Sequence, residues 1–165
     1  MARTHATAAR ATEAAGVVEG ALVRALPPAQ TAAASVGVDV VDIDQFKREM
    51  AVGGERLLAR IFTDSERRYC GGRVDRLATR LAAKEAVAKA LGTGIRGVDW
   101  LDIEVRTERT GRPFVVLSGA AFRAASRARL DDVHLSLSHE VGLAVAVAIG
   151  GSIRCIKDEQ KEVTE

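Results

Sequence analysis

The sequence predicts an α+β fold in which a mostly antiparallel sheet packs against one long helix. An amphipathic helical pattern runs from about residue 73 to residue 91, which is too long for a strand. Two pairs of apolar segments, at 101–117 and 133–149, are each joined by a short polar turn, as in antiparallel hairpins. Because strands and helices do not alternate one by one, a parallel βαβ sheet is not expected.

The first half of the core predicts one strand followed by three helices. Residues 36–43 are apolar on both faces, which is typical of a strand in the interior of a sheet. Asp42, with Gln45 three residues later, predicts the cap of a first helix. Thr63 and Glu66 repeat the pattern before a second, short helix. The third helix is the long one.

The second half of the core predicts a hairpin, a helix and a second hairpin. Gly92 and Gly94 end the long helix. Alternating or continuous apolar patterns then define strands, and polar residues define the turns between them. The predicted elements are strands at 101–106 and 114–117 around a turn at 108–112, a helix at 120–130, and strands at 133–138 and 143–149 around a turn at 139–142.

Composition predicts one domain between two terminal segments. A chain of 165 residues with 47% apolar and 28% charged side chains suits a single core, which we place at 36–150. Residues 1–35 are rich in Ala and Thr, so we expect a mobile extension, with an organellar transit peptide as the alternative. Residues 151–165 form a charged tail that we expect to be loosely held.

Several classes of function are disfavoured by the composition. A net charge of +2 and an aromatic content of 4% argue against nucleic-acid binding. No apolar run approaches the roughly 20 residues of a membrane span, so no membrane partner is expected. Cys70 and Cys155 lie far apart without metal-ligand spacing, which predicts unpaired thiols in a reducing cytoplasm.

The long helix carries an acid on its apolar face. At about 100° per residue, Glu85 lies only about 20° from Val74 and about 40° from Leu81. Lys84 and Lys89 flank it on either side. Burying a carboxylate is costly unless it is paired, hydrogen-bonded or bound to a metal. Glu85 is therefore a candidate ligand, with a salt bridge to a buried arginine as the structural alternative.

A second acid interrupts the first strand. Asp39 shares a strand face with Gly37 and Val41. Taken alone, it could be a hydrogen-bonding residue of the strand end. Together with Glu85, it suggests a Mg²⁺ site, since magnesium commonly binds one or two carboxylates and takes its other ligands from water and substrate phosphates.

Basic side chains near Glu85 predict a substrate that carries phosphates. Arg80, Lys84 and Lys89 could donate charge-assisted hydrogen bonds to them, the alternative being solvated helix flanks. His139 follows a serine-rich strand at a predicted turn, where a surface residue or local cap is the alternative to a catalytic role. No G-x-S-x-G elbow is present, so a serine hydrolase is not expected.

Five motifs, taken together and in order, resemble a known family. They are Gly37-Val-Asp39, Lys84-Glu85-Ala-Val-Ala-Lys89-Ala-Leu-Gly92-Thr-Gly94, Asp102-Ile-Glu104-Val, Gly111-Arg-Pro113 and Ser136-Leu-Ser138-His139. Over nearly all of 36–150 the chain resembles the holo-[acyl-carrier-protein] synthases, the small phosphopantetheinyl transferases. The resemblance implies the 4'-phosphopantetheinyl transferase fold and a homotrimer with active sites between subunits. It also implies transfer of 4'-phosphopantetheine from coenzyme A to a serine of an acyl carrier protein, with Mg²⁺ as cofactor and adenosine 3',5'-bisphosphate released.

The resemblance also implies roles for individual residues. Asp39 and Glu85 match the metal-binding carboxylates, and catalytic roles fall on Glu85 and Lys89. The positions that match the coenzyme A site are Arg80, Lys84, Lys89 and His139.

Some features leave alternatives open. Gln45 stands where family members commonly have an arginine that meets the carrier, so the carrier could serve fatty acid biosynthesis or polyketide synthesis. The group that takes the serine proton is not assigned, a metal-bound water and a carboxylate both being open. Two other functions remain: a coenzyme A-dependent acyltransferase with His139 as base, and a non-catalytic module that binds carrier proteins.

Overall fold

A five-stranded antiparallel sheet organises the part of the chain that the computed structural model describes, residues 35–152. Its strands are β1 Ser35–Asp42, β2 Ile103–Thr107, β3 Pro113–Leu117, β4 Asp132–Glu140 and β5 Leu143–Gly151, in the spatial order β1-β5-β4-β3-β2. Every neighbouring pair is antiparallel, which confirms the predicted α+β class. The expectations for residues 1–34 and 153–165, including Cys155, lie outside the described residues.

The helices follow the predicted order closely. They are α1 Ile43–Ile61, α2 Asp64–Cys70, α3 Val74–Ala90 and α4 Gly119–Ala128. The predicted caps of α1 and α2 are confirmed, since Asp42 accepts a hydrogen bond from the Gln45 N–H and Thr63 forms a reciprocal capping box with Glu66. None of the described helices is both long and apolar enough to cross a membrane.

Two local predictions are wrong at the ends of strands. The alternating pattern predicted a strand from residue 101, but a 3₁₀ turn at Trp100–Asp102 precedes β2. The second hairpin turn is also shorter than predicted, because Val141 and Gly142 both have positive φ and close it in two residues. His139 therefore lies in β4 and not in a turn.

The prediction of an interior position for the first strand is wrong as well. In the sheet β1 is an edge strand that pairs only with β5. Its inner face packs against α3. The opposite face of this part of the sheet is apolar too, but its residues belong to neither core cluster of the described chain. Val38 on this face is 3% exposed, and the others are partly exposed: Val36, Val40, Val145, Val147 and Ile149. The inner face of β1 is therefore apolar because it packs against α3, whereas the outer face is apolar although it is only partly covered.

Helix α3 lies close against the sheet because small residues line the contact. Ala144, Ala146 and Ala148 of β5 are fully buried beneath it. On β1, a Cβ atom added to Gly37 would lie 1.9 Å from the Ala86 carbonyl oxygen of α3. Glycine is therefore required at this position, since any side chain would push the strand and the helix apart. This close approach brings the acid of β1 next to the acid of α3.

Candidate functional site

Asp39 of β1 and Glu85 of α3 meet in one cleft, as the sequence predicted for a shared site. Their carboxyl groups lie within hydrogen-bonding reach of each other. Asp39 has only 12% of its side chain exposed, and Glu85 is partly buried. The cleft has a volume of about 340 Å³ and is lined by β1, α1 and α3 through Asp39, Val40, Val41, Asp42, Gln45, Phe46, Glu49, Leu81 and Glu85.

Burial makes it unfavourable for both carboxyl groups to be charged at once. It raises the pKa of Glu85 to about 7, and the charge of Asp39 adds to this effect while Lys89 opposes it. Burial also raises the pKa of Asp39, again opposed by Lys89. Because the two carboxyl groups lie close together, a proton held by one favours ionisation of the other, and the pair titrates as a unit.

Lys89 borders the same two acids. Its ammonium group donates a hydrogen bond of 2.7 Å to the Val38 carbonyl oxygen and lies 3.4 Å from Asp39 Oδ1. The side chain is 53% exposed, so the amine is anchored to β1 while one side of it faces solvent. Lys89 is therefore placed to contact an anionic group that enters the cleft beside Asp39.

The donor set fits a magnesium ion. Two neighbouring carboxylates face one open cleft, and no group of three or more metal-ligating side chains occurs among residues 35–152. Sites of this kind suit Mg²⁺, which keeps several waters and shares substrate oxygens, better than Zn²⁺, which favours nitrogen and sulfur ligands. When no ion is bound, the positive charge of Lys89 would compensate the negative charge of Asp39.

Lys84 does not reach the cleft, and the alternative of a solvated helix flank is wrong for it. Its side chain is fully buried, with the ammonium group 2.8 Å from Glu66 Oε2. The same ammonium donates to the carbonyl oxygens of Trp100, at 2.8 Å, and Ile103, at 2.6 Å. Three protein acceptors match the three protons that a lysine can donate, so none is left for a ligand. Helical geometry places Lys84 about 100° from Glu85, towards α2 and β2 and away from the cleft.

Arg80 lies in a second pocket, near the other end of the sheet. The guanidinium stacks on the Tyr69 ring, with its carbon 4.2 Å from the ring centroid. It also donates a hydrogen bond of 3.0 Å to Thr107 Oγ1. Arg80 is only 4% exposed, and its Nε is buried without a hydrogen-bond partner. The pocket has a volume of about 290 Å³ and is lined by Tyr69, Arg80, Thr107, Gly111, Pro113, Leu135, Ser136 and Leu137.

His139 belongs to neither pocket. It is exposed on β4, and its Nε2 lies 3.5 Å from Asp75 Oδ2 at the beginning of α3. Asp75 also accepts two hydrogen bonds from Arg73, an interaction that lowers the pKa of Asp75 to about 2. The six predicted site residues therefore fall into four places: Asp39, Glu85 and Lys89 together, and Lys84, Arg80 and His139 each apart.

Sequence reasoning missed several residues of these places. Tyr69 and Thr107 were not singled out, because their contact with Arg80 joins segments 11 and 27 residues away along the chain. Glu66 was interpreted only as a helix cap, although its carboxylate also pairs with Lys84 and accepts from the Val105 N–H. The sequence carried no separate signal for this second role, because Glu66 lies in a short helix that is rich in charged residues: Asp64, Glu66, Arg67 and Arg68.

Comparison with known proteins points to one family. The family model of the 4'-phosphopantetheinyl transferase superfamily matches residues 35–147. A holo-[acyl-carrier-protein] synthase of Geotalea daltonii is 44% identical over 117 residues, which cover 68% of this chain and 94% of the relative.

Solved structures agree with that match. The holo-[acyl-carrier-protein] synthase of Helicobacter pylori in complex with coenzyme A superposes with a TM-score of 0.64 at 28% identity, covering 70% of this chain and 98% of the other. The synthase of Bacillus anthracis in complex with coenzyme A (3',5'-ADP) gives a TM-score of 0.59 at 33% identity, covering 72% and 96%. All five motifs lie within residues 35–147, the region that the family model matches.

Proposed function

The chain belongs to the 4'-phosphopantetheinyl transferase superfamily, and we propose that it is a magnesium-dependent holo-[acyl-carrier-protein] synthase. It transfers the 4'-phosphopantetheine group of coenzyme A to a serine of an acyl carrier protein and releases adenosine 3',5'-bisphosphate. The observation that carries this proposal is the pair of neighbouring acids, Asp39 and Glu85, in an open cleft with Lys89 beside them. We assign the activity to a domain at residues 36–150.

Asp39 and Glu85 are the residues that would hold Mg²⁺. A bound divalent ion would neutralise negative charge on the diphosphate of coenzyme A and so favour departure of the bisphosphate. Glu85 must release its proton before it can ligate a metal, and its raised pKa makes this step dependent on pH near neutrality.

The remaining chemistry is a displacement at phosphorus. The carrier serine gives its hydroxyl proton to a base and its oxygen bonds to the phosphorus that bears pantetheine. The bond from that phosphorus to the bisphosphate breaks, and its electron pair leaves with the bisphosphate. Lys89 is the cation of this chain that borders the two acids, and we assign it to the diphosphate oxygens, where it stabilises developing charge. Its bond to the Val38 carbonyl fixes its position before the substrate arrives.

We assign the Arg80 pocket to a phosphate of coenzyme A remote from the reacting diphosphate. A nine-tenths buried guanidinium with an unpartnered Nε favours an anionic ligand over an empty pocket. Tyr69 orients the guanidinium plane by stacking, and Thr107 Oγ1 accepts a hydrogen bond from Nη2 of the guanidinium. Lys84 is left out of this assignment because its three donors are already used.

The distribution of these residues favours active sites that two protomers share. The acidic cleft borders β1, whereas the Arg80 pocket borders β2, β3 and β4 at the other end of the sheet. The partly exposed apolar face of β1 and β5 offers a surface for a second copy. We propose a homotrimer in which the cleft of one protomer faces the Arg80 pocket of the next, as a closed heterologous ring allows.

A cytoplasmic location and a carrier of fatty acid biosynthesis complete the proposal. The buried, unpaired thiol of Cys70 suits a reducing compartment. The cleft surface of α1 carries Gln45 and Glu49, which are joined by a hydrogen bond of 2.9 Å, in place of a cation that would attract an acidic carrier. Carriers of polyketide synthesis are therefore tested beside those of fatty acid synthesis.

Mass spectrometry of the carrier tests the proposal directly. An apo acyl carrier protein is incubated with coenzyme A, Mg²⁺ and the full chain, and a matched reaction contains a chelator. A mass gain of one phosphopantetheine that requires Mg²⁺ is the expected result. An acyl mass that appears from an acyl-coenzyme A despite the chelator would instead identify an acyltransferase that uses His139. Binding to every carrier without any mass change would identify a non-catalytic module.

A further inference from the structure

The catalytic assignment leaves a fully buried ion pair beside the cleft unexplained. The side chains of Lys84 and Glu66 are both 0% exposed, and Lys84 Nζ lies 2.8 Å from Glu66 Oε2. Neither residue lines the acidic cleft or the Arg80 pocket. Because an apolar pair of similar size is often as stable as a buried ion pair, stability alone is a weak reason for this arrangement.

The pair joins α3 to three other parts of the chain. Glu66 belongs to α2, and its carboxylate also accepts a hydrogen bond of 2.9 Å from the Val105 N–H of β2. Lys84 reaches the carbonyl oxygens of Trp100, the first residue of the 3₁₀ turn, and of Ile103, the first residue of β2. Because these contacts attach Lys84 both to α2 and to residues 100–103, they hold the Lys84 side of α3 in place.

The other side of the same helix is held by Lys89. Its bond to the Val38 carbonyl attaches α3 to β1, next to Asp39. Glu85 lies between these two attachments, directly after Lys84 in sequence. A carboxylate about 6 Å from a helix axis moves by about 2 Å when the helix turns by about 20°. A displacement of that size would take Glu85 out of ligand distance, since Mg²⁺ requires oxygens near 2.1 Å.

We propose that Lys84 is a positioning residue: its ion pair with Glu66 and its two carbonyl contacts set the rotation of α3 and thereby hold Glu85 opposite Asp39. The inference rests on the proposed function of those two acids as metal ligands. Lys84 touches neither the metal nor coenzyme A. It acts through the backbone of the residue that follows it.

The test compares Lys84→Met with Leu77→Ala in the full-length protein. Methionine retains most of the lysine volume but lacks the ammonium group. Leu77 is a core residue two turns earlier on the same side of α3, is 2% exposed and lines neither pocket. For each variant we would measure Mn²⁺ affinity by electron paramagnetic resonance without coenzyme A, the unfolding free energy, and kcat and KM for coenzyme A.

Lys84→Met is expected to weaken Mn²⁺ binding and lower kcat by about tenfold or more, with KM for coenzyme A changed by less than about twofold. Leu77→Ala is expected to lose stability but to bind Mn²⁺ with the wild-type affinity. Equal Mn²⁺ affinities in wild type and Lys84→Met, or equal losses in both variants, would overturn the inference. If Lys84→Met does not fold, Glu66→Gln is measured against the same criteria, since it keeps an acceptor for Val105.

The wild-type protein separates this inference from the proposed function. Wild-type transfer together with unchanged Mn²⁺ binding in Lys84→Met would refute only the positioning role. If the wild type binds no Mn²⁺ and modifies no carrier, the proposed function itself fails, and the positioning role fails with it.

Discussion

Replacing Glu85 with glutamine should stabilise the metal-free protein while it abolishes magnesium binding. The structure gives Glu85 a pKa of about 7, against an ordinary value of 4.5. A difference of about 2.5 pH units corresponds to about 3 kcal/mol, because each unit is worth about 1.4 kcal/mol. Partial solvent contact of the side chain reduces this to about 2 kcal/mol. Glutamine has the same shape and carries no charge, so it avoids this penalty at every pH.

The predicted stabilisation depends on pH in a defined direction. Below about pH 4.5 the carboxyl group is protonated in both the folded and the unfolded chain, and the two proteins should be similar in stability. Between about pH 4.5 and pH 7 the unfolded chain has released the proton while the folded chain retains it, so wild-type stability falls as pH rises. Above about pH 7 the full difference in favour of Glu85→Gln should be present.

Urea denaturation from pH 4.5 to 8.5 in the presence of a chelator measures this difference. Glu49→Gln is the control, because Glu49 is an exposed acid that lines the same cleft. Adding Mg²⁺ at pH 8 should stabilise the wild type but not Glu85→Gln, since an ion that binds only the folded state raises its stability. A stability difference that does not change with pH would refute the burial argument. Wild-type transfer rates by Glu85→Gln at limiting Mg²⁺ would refute the ligand assignment.

Three further substitutions test the surroundings of the acids. Gly37→Ala places a Cβ against the Ala86 carbonyl, so it should lower the unfolding free energy measured in urea by about 1–3 kcal/mol and weaken Mn²⁺ binding. Unchanged Mn²⁺ affinity would show that the close approach of β1 and α3 does not matter for the site. Arg80→Met should raise KM for coenzyme A by about tenfold or more in steady-state assays while Mn²⁺ affinity stays constant, and an unchanged KM would remove the phosphate assignment. Lys89→Met should lower kcat by about a hundredfold with a smaller effect on KM, whereas an effect on KM alone would assign Lys89 to ground-state binding.

Features that depend on neighbours in sequence were predictable. The caps of α1 and α2 follow from an acceptor side chain placed three residues before its partner, and both occur as predicted. The long helix was expected at 73–91 and spans Val74–Ala90. The acid on its apolar stripe was identified for the same reason, because a 3.6-residue period is enough to show that Glu85 faces inward.

Features that depend on distant partners were not predictable. Helical spacing shows that Lys84 and Glu85 point about 100° apart, but it does not show what each of them meets. The acceptors of Lys84 are 16 and 19 residues further along the chain and 18 residues before it, so its burial was missed. The edge position of β1 was also hidden, because an apolar pattern on both faces does not show how many neighbouring strands a strand pairs with.

The small residues between α3 and the sheet explain why two acids can share one cleft. An alanine or glycine side chain contributes little apolar area, so a contact built from Gly37, Ala86, Ala146 and Ala148 gains less from burial than one built from leucines. What it gains is proximity of the two backbones. Asp39 has a short side chain fixed to a strand, and it reaches Glu85 only if that strand lies against the helix. Larger residues at this contact would add buried area and separate the two carboxyl groups, so the stability forgone here is the condition for the proposed metal site.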